Sequence, residues 1–135
     1  LLECRGAALF IDYGHAVSGF GDTFQAMRGH AYADPLAGPG TQDLTSHVDF
    51  ERLAAAARRA GLPHAALASQ GDFLLELGLL ERAGALGHGK DAAMQETLRR
   101  QVERLAGPDQ MGTLFKVLRL TNPRLELPGH GQAAA

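Results

Sequence analysis

The stretch "ALFIDYGH", Ala8 to His15, decides how the chain folds. Apolar residues follow one another without interruption from Ala7 to Ile11. A continuous run of this kind is typical of a strand covered on both faces by helices, whereas a half-exposed strand alternates apolar and polar residues. We therefore predict a buried strand over Gly6 to Tyr13 and an α/β fold around it.

The predicted strand ends in polar groups. In open α/β sheets, ligands bind outside the carboxyl ends of the strands, where Asp12, Tyr13, Gly14 and His15 would lie. Asp12 could accept a hydrogen bond from a substrate or cofactor, Tyr13 could stack on it, and Gly14 lets the backbone turn. A structural interpretation carries equal weight: Asp12 caps a loop or pairs with an arginine, and Tyr13 fills the edge of the sheet.

Length and composition narrow the class of protein. The chain has 135 residues, 45% hydrophobic and 21% charged, with a formal net charge of -2, which fits one soluble domain. Without a basic excess or an apolar run of about 20 residues, we expect no nucleic-acid partner and no membrane span. The single Cys4 allows no internal disulfide, which fits a reducing compartment or carries no information, and a cytoplasmic protein is the default expectation. Leu1 and the early first strand lead us to expect a fragment.

The middle of the chain predicts a hairpin, a helix and a weak strand. Residues Asp22 to Tyr32 indicate an irregular hairpin that turns near Gly29, and the Pro- and Gly-rich segment after them indicates a loop. In "TSHVDFERLAAAARRAGL", four apolar residues share one helix face, and Ser46 with Asp49 resembles a capping box. The apolar face consists of Phe50, Leu53, Ala54 and Ala57. "PHAALASQ" is a weak strand candidate.

The second half predicts helices and a last strand. We expect short helices over "GDFLLELG" and Leu79 to Leu86, and a longer one from about Asp91 to Leu105. "MGTLFKVLRL", Met111 to Leu120, is a strong strand candidate. Three main strands with three helices resemble one edge of a larger sheet, which supports a fragment.

The segment "DLTSHVDF" contains candidate catalytic groups. His47 near two carboxylates could act as a general base, with one carboxylate fixing its tautomer. Helix capping accounts for Ser46 and Asp49 without any catalytic role, but it is a weaker explanation of Asp43, Thr45 and His47. The six histidines have no zinc-ligand spacing, so we expect no metal site.

"RGH", Arg28 to His30, is a second candidate binding segment. A fixed cation beside a titratable ring could bind a carboxylate or a phosphate, and an exposed hairpin tip explains the same residues equally well. Lys116 in the last strand either protects a sheet edge or reaches a cleft, and the first is more common. From the residues alone we infer that the chain is part of an α/β protein with a polar site near Asp12. The residues alone do not identify a reaction.

Four segments in order resemble one protein family. These are "ALFIDYGH", "DTFQAMRGHAYADPLAGPGTQDLTSHVDF", "SQGDFLLELGL" and "MGTLFKVLRL". Together they are similar to the C-terminal part of the MidA-like class I S-adenosylmethionine-dependent methyltransferases, whose mitochondrial member is an arginine methyltransferase that assists complex I assembly. The resemblance covers about Gly6 to Pro123.

The resemblance implies a topology and domain limits. The strands would be the fifth to seventh of a seven-stranded Rossmann-like sheet, with the seventh antiparallel beside the fifth. Residues 1–123 would be the C-terminal part of the methyltransferase domain, with a hairpin and loop over 15–44 and a helical insertion over 71–106. Residues 124–135 would form a flexible tail.

The resemblance also implies a cofactor and a reaction. The family's glycine-rich cofactor loop and ribose-binding acid find no match here, so we expect the fragment alone neither to bind S-adenosylmethionine nor to methylate. The intact protein would transfer a methyl group to a protein arginine. Asp12 and Asp43 would accept the guanidinium, His47 would orient it or act as base, and Tyr13 would form a wall. Further substrate-side candidates are Gly14, Arg28, His30 and Thr45.

The expected partners follow from the same family. The protein substrate would be a respiratory complex I subunit, and the location would be the bacterial cytoplasm or, in a eukaryote, the mitochondrial matrix. The alternative is a non-catalytic module that grips a respiratory subunit. A hydrolase built on His47 and Asp12 lacks a nucleophile and ranks last. Because a truncated sheet exposes the edge of its first strand, we also expect a homodimer or strand exchange.

Overall fold

A computed structural model of the chain describes residues 6–62 and 64–121. This part of the chain forms seven strands and five helices, in the order β1 to β5, α1, β6, α2 to α5, β7. The strands are β1 (Ala7–His15), β2 (Gln25–Arg28), β3 (Ala31–Ala33), β4 (Asp43–Thr45), β5 (Val48–Asp49), β6 (His64–Ser69) and β7 (Phe115–Thr121). The helices are α1 (Phe50–Arg59), α2 (Gln70–Glu76), α3 (Leu79–Gly87), α4 (Ala92–Ala106) and α5 (Met111–Leu114).

The main sheet has four strands in the order β5-β1-β7-β6. β7 runs antiparallel to both of its neighbours, and its register with β1 extends from Ala7 opposite Thr121 to Tyr13 opposite Phe115. β5 is parallel to β1 but pairs only with Gly14 and His15. Within the described residues, the edge of β1 that faces away from β7 therefore has no strand partner from Ala7 to Tyr13.

The core lies between α1 and one face of the main sheet. Phe50, Ala54 and Ala57 are the buried residues of α1, on the face that their spacing predicts. They pack with Leu118 and Leu120 of β7. Since Leu118 lies opposite Phe10 and Leu120 opposite Ala8, the even-numbered residues of β1 point toward α1 and the odd-numbered ones point away.

The first strand is less covered than its composition predicts. Leu9 is 50% exposed, Phe10 44% and Ile11 51%. The first strand therefore lies at a partly open edge of the described part of the sheet. α1 contacts β1 on one face and α5 contacts it on the other, whereas α2 contacts β6 and β7.

Several element boundaries differ from the sequence prediction. β1 continues to His15, two residues beyond its predicted end at Tyr13. The first helix begins at Phe50, the last residue of "DLTSHVDF". Its N-cap is Asp49, whose carboxylate accepts from the Arg52 N–H at 3.0 Å, so the predicted capping box at Ser46 is wrong. The predicted strand over Met111 to Leu120 is wrong in its first four residues, which form α5 before β7 begins. The Thr113 hydroxyl donates to the carbonyl oxygen of Pro108, a local contact that the apolar pattern does not reveal.

The expected hairpin is present and belongs to a second sheet. β2 and β3 pair across a turn in which Gly29 and His30 both have positive φ, 57° and 64°. Two such residues form the type of turn that matches the twist of paired strands. β4, which the sequence did not predict, pairs with the other side of β2 and completes a three-stranded sheet in the order β3-β2-β4.

α3 and α4 form a helical pair that contacts the rest of the fold through α2 and α5. The buried amide of Gln70 in α2 donates to the Leu105 carbonyl at 2.8 Å and so ties α4 to the sheet. Among the described helices, none combines the length and the apolar character that crossing a membrane requires. The expected flexible tail, residues 124–135, lies outside the described residues.

Candidate functional site

The ring of Tyr13 lies between two other aromatic side chains at the end of β1. Its centroid is 5.7 Å from the His47 ring, at an interplanar angle of 64°, and 5.6 Å from the Phe115 ring, at 87°. Both are edge-to-face arrangements, which are favourable beyond the burial of area by about 0.5–1.5 kcal/mol each. The structure thus brings together two of the candidate residues, Tyr13 and His47, from distant parts of the sequence.

His47 is held by the second sheet. Its backbone N–H donates to the Thr23 hydroxyl at 3.2 Å, just before β2 begins. His47 itself follows β4 and precedes β5, so its position depends on both sheets. The half-buried imidazole is therefore fixed on the backbone side while its ring meets Tyr13.

Asp12 lies on the other face of β1. It is opposite Lys116 in the register with β7, and its carboxylate accepts from the Tyr13 N–H at 2.9 Å. The Lys116 ammonium donates to the carbonyl oxygens of Thr113 and Leu114. Within residues 6–62 and 64–121, no hydrogen bond joins Asp12 to His47. Neighbouring strand residues point to opposite faces, so one strand end offers a carboxylate on one side and an imidazole on the other.

The packing of β1 against β5 requires a glycine at position 14, independently of any ligand. A Cβ at this position would lie 2.2 Å from the carbonyl oxygen of Val48 and 3.0 Å from the Phe50 ring. Only a glycine allows β5 to approach β1 here, and the approach sets the start of α1. Gly14 therefore determines where the strand end lies relative to β5.

Asp49 is the centre of a polar cluster beside this strand end. Its carboxylate accepts from the Ser18 hydroxyl at 2.9 and 2.8 Å, lies 3.3 Å from the Arg52 Nε, and lies 3.7 Å from the His15 Nε2. The Arg52 N–H lowers the pKa of Asp49 below its ordinary value of 3.8; burial opposes this, and Ser18, His15 and the Arg52 guanidinium add to the lowering. The cluster therefore holds a negative charge near the end of β1.

The sequence pattern did not indicate this cluster as a site. Helix capping already explained Asp49, His15 counted only as part of the strand end, and Ser18 carried no signal. The only signal was that a histidine follows one strand and an aspartate precedes the next helix. Nothing in the sequence indicated that Ser18 turns back toward α1, where its N–H also donates to Glu51 at 2.6 Å.

The candidates on the second sheet divide between its two faces. Asp43 lies opposite Met27, which lies opposite Tyr32, and Thr45 lies opposite Gln25, so these residues share one face. Arg28 alternates with Met27 and lies on the other face, opposite Ala31. His30 occupies the hairpin turn. The structure thus groups Asp43 and Thr45 with each other and separates them from Arg28 and His30.

Known proteins resemble both the sequence and the fold of this chain. A family model for S-adenosyl-L-methionine-dependent methyltransferases matches residues 1–67. The mitochondrial protein arginine methyltransferase NDUFAF7 homolog of Drosophila melanogaster is 41% identical over 118 residues, which are 84% of this chain and 26% of that protein. The chain thus spans about a quarter of this curated relative.

Two solved structures from Burkholderia thailandensis share the fold. One matches with a TM-score of 0.78 and 32% identity, over 87% of this chain and 33% of that chain. The other, which is bound to S-adenosyl-homocysteine, matches with a TM-score of 0.76 and the same identity, over 87% and 32% of the two chains.

The sheet and helices of this chain, together with its similarity to known proteins, define its structural class. The chain has the mixed α/β architecture of S-adenosylmethionine-dependent methyltransferases. Within that class the matches support a MidA-like methyltransferase, and the NDUFAF7 arginine methyltransferases are among the relatives that this chain resembles. The resemblance of the four sequence segments is thereby confirmed.

Two junctions between a strand and a helix in the described residues have no connecting loop. β5 leads directly into α1 and β6 directly into α2, with no loop between strand and helix. A dinucleotide or nucleoside cofactor is usually held by a glycine-rich loop at such a junction. Residues 6–62 and 64–121 contain no strand, glycine-rich loop and helix in succession.

Proposed function

We propose that this chain is the C-terminal part of an S-adenosylmethionine-dependent protein arginine methyltransferase, and that it supplies the substrate wall of the active site. The observation that carries the proposal is the sheet order β1-β7-β6 with β7 antiparallel between its neighbours. In this proposal β1, β6 and β7 are the fifth, sixth and seventh strands of a seven-stranded sheet. The strands that precede them would pair with the open edge of β1.

The proposed cofactor is S-adenosylmethionine, which supplies the methyl group. Its main binding loop would lie in a part of the protein outside this chain. The element order of the described residues, in which no glycine-rich loop joins a strand directly to a helix, supports this. The chain alone would then be inactive. Isothermal titration of this chain with S-adenosylmethionine should give no heat of binding, and a measurable dissociation constant would contradict this part of the proposal.

The proposed roles follow from which side chains lie close together. Tyr13 forms a wall against which a guanidinium can lie, and the fixed His47 ring beside it orients the guanidinium or accepts its proton. Asp12 reaches the same strand end from the other face and attracts the cation. Positioning the nitrogen close to the donor methyl group accounts for most of the catalysis in such a transfer, since a near-attack geometry lowers the barrier by several kcal/mol.

The remaining candidates have supporting roles in this proposal. Thr45 and Asp43 line the approach along the second sheet, and Gly14 sets the strand geometry. Arg28 and His30 would contact a part of the substrate protein beyond the hairpin tip. The substrate would be a protein, and the NDUFAF7 relatives suggest a respiratory complex I subunit.

The test uses the full-length protein that carries this chain. Transfer of a labelled methyl group to arginine should fall by more than tenfold in His47→Ala and in Asp12→Ala, while the melting temperature changes little. Asp109→Asn removes an exposed carboxylate from the connection before α5 and serves as the matched control. Full activity in both site variants would show that the site is wrongly assigned.

A second candidate function is non-catalytic binding of a subunit of a respiratory complex. The observation in its favour is the apolar groove of about 450 Å³ between α3 and α4, which Leu80, Ala83, Leu98 and Val102 line. A complex with a respiratory subunit that survives His47→Ala and is lost in Leu98→Glu would favour this function over catalysis.

A further inference from the structure

One face of the second sheet carries side chains on the segment that leads to His47 and its contact with Tyr13. The strand register places Tyr32, Met27 and Asp43 in one row and Gln25 with Thr45 in the next. β4 ends at Thr45, and His47 follows two residues later, where its N–H donates to the Thr23 hydroxyl. We call this surface, formed by Tyr32, Met27, Asp43, Gln25 and Thr45, the track face.

The track face carries an exposed aromatic ring and a carboxylate without a partner. Tyr32 is 77% exposed. Asp43 is exposed, and within residues 6–62 and 64–121 its carboxylate makes no hydrogen bond and no ion pair. The carboxylates of Asp22 and Asp34, by contrast, accept from nearby backbone N–H groups. Asp43 is therefore available to a charge on another molecule.

The charge of this region selects the kind of partner. Residues 12–52 contain two basic side chains apart from histidines: Arg28, which lies on the opposite face of the sheet, and Arg52, which lies 3.3 Å from Asp49. The same segment contains six acidic side chains: Asp12, Asp22, Asp34, Asp43, Asp49 and Glu51. A negative field of this kind attracts a cationic segment and disfavours an anionic one.

We infer that the track face binds a cationic, extended segment of the methylation substrate, with a second lysine or arginine four residues from the arginine that reacts. This inference rests on the proposed function. Asp43 pairs with the second cation, and the Tyr32 ring lies against its side chain, where a cation–aromatic contact adds to the ion pair. The reacting arginine lies at Tyr13 and His47.

The spacing of four residues comes from strand geometry. Asp43 and His47 are four residues apart, and β4 covers the first three positions of this segment; a fully extended course would correspond to about 13 Å at 3.3 Å per residue. An extended substrate has the same rise per residue, so it also needs about four residues to cover this length. Residues four apart in an extended chain point to the same side, so both cations can face the protein together.

The experiment measures methylation of a peptide series by the full-length protein. Each peptide has one central arginine and one lysine that is moved from five residues before it to five residues after it. The lowest KM should occur with the lysine four residues away on one side, about fivefold below that of a peptide without lysine. Asp43→Asn should remove this preference, and Asp43→Lys should raise KM for the best peptide above that of the neutral one.

Controls separate a docking role from a general loss of activity. Asp109→Asn should keep the full preference, because it removes one carboxylate elsewhere. Tyr32→Ala should raise KM with little change in kcat, and Tyr32→Phe should restore most of the affinity. A preference that survives Asp43→Asn, or equal KM values across the series, would overturn the inference.

A binding measurement distinguishes this failure from failure of the proposed function. Fluorescence anisotropy of the same labelled peptides needs no turnover. If no peptide is methylated but the lysine four residues away still tightens binding and Asp43→Asn abolishes the effect, the docking surface stands and the methyltransferase proposal falls. If methylation occurs and binding ignores the position of the lysine, the docking surface falls and the methyltransferase proposal stands.

Discussion

Replacement of Gly14 by alanine tests how the strand end is built. The added Cβ would lie 2.2 Å from the Val48 carbonyl oxygen, whereas ordinary contacts begin at 3.4 Å. Relief of this clash requires β1 and β5 to separate by about 1.2 Å, which breaks the short parallel pairing that holds Val48 and Asp49 beside Gly14 and His15. Overpacking costs about 1–3 kcal/mol, and each lost hydrogen bond adds about 1 kcal/mol.

We therefore expect Gly14→Ala to lower the free energy of unfolding by about 3 kcal/mol. Urea denaturation of this chain, followed by circular dichroism, measures the change. Gly21→Ala is the matched control, because a Cβ at Gly21 meets no atom within 4 Å. The change should also alter the ring-current shift of the His47 protons, since β5 follows His47 directly. Equal urea midpoints for the two variants would refute the steric reasoning.

Three further perturbations test the core, the polar cluster and the open strand edge. Phe50→Ala should lower the free energy of unfolding, measured in urea, by about 3–5 kcal/mol, because Phe50 is 0% exposed. The control Phe20→Ala, at a fully exposed position, should change the stability little. Similar urea midpoints for the two variants would contradict the assigned core. Because folding lowers the pKa of Asp49, its charge stabilises the fold at pH values above the ordinary pKa of 3.8, and this stabilisation is lost as the pH falls through the lowered pKa. In urea titrations at pH 5 and pH 2.5, Asp49→Asn should therefore lose less stability than the wild type on acidification. Equal losses in the two proteins would argue against the cluster. Sedimentation should show self-association of this chain that Ile11→Lys abolishes and Val17→Lys, away from β1, retains; a monomeric wild type at high concentration would contradict strand-edge pairing.

The sequence predicted the elements whose pattern is local. The apolar run before Asp12 indicated β1, and the spacing of Phe50, Ala54 and Ala57 indicated the buried face of α1. Gly29 indicated the hairpin turn. These signals suffice because strand and helix periodicity, like turn preference, depends on residues within a few positions of one another.

The sequence left open what depends on contacts between distant segments. Asp49 and Ser46 both satisfy the preferences of an N-cap, and only the folded backbone determines that Asp49 occupies it. β4 is three residues long and becomes recognisable as a strand only through its pairing with β2. The start of α5 depends on contacts of the α4–α5 connection, which interrupt a run that looks like one strand.

The candidate site shows the same division. The sequence alone determined that a carboxylate, a phenol and an imidazole come directly after the apolar run of the first strand, and that a second imidazole and further carboxylates precede the first helix. Only the tertiary structure decided that Tyr13 meets His47, that Asp12 lies on the opposite face, and that Asp43 lies in one row with Met27 and Tyr32. The physical reason is that the types of side chain are fixed along the chain, whereas the face on which each one lies is set by strand register between segments far apart in sequence.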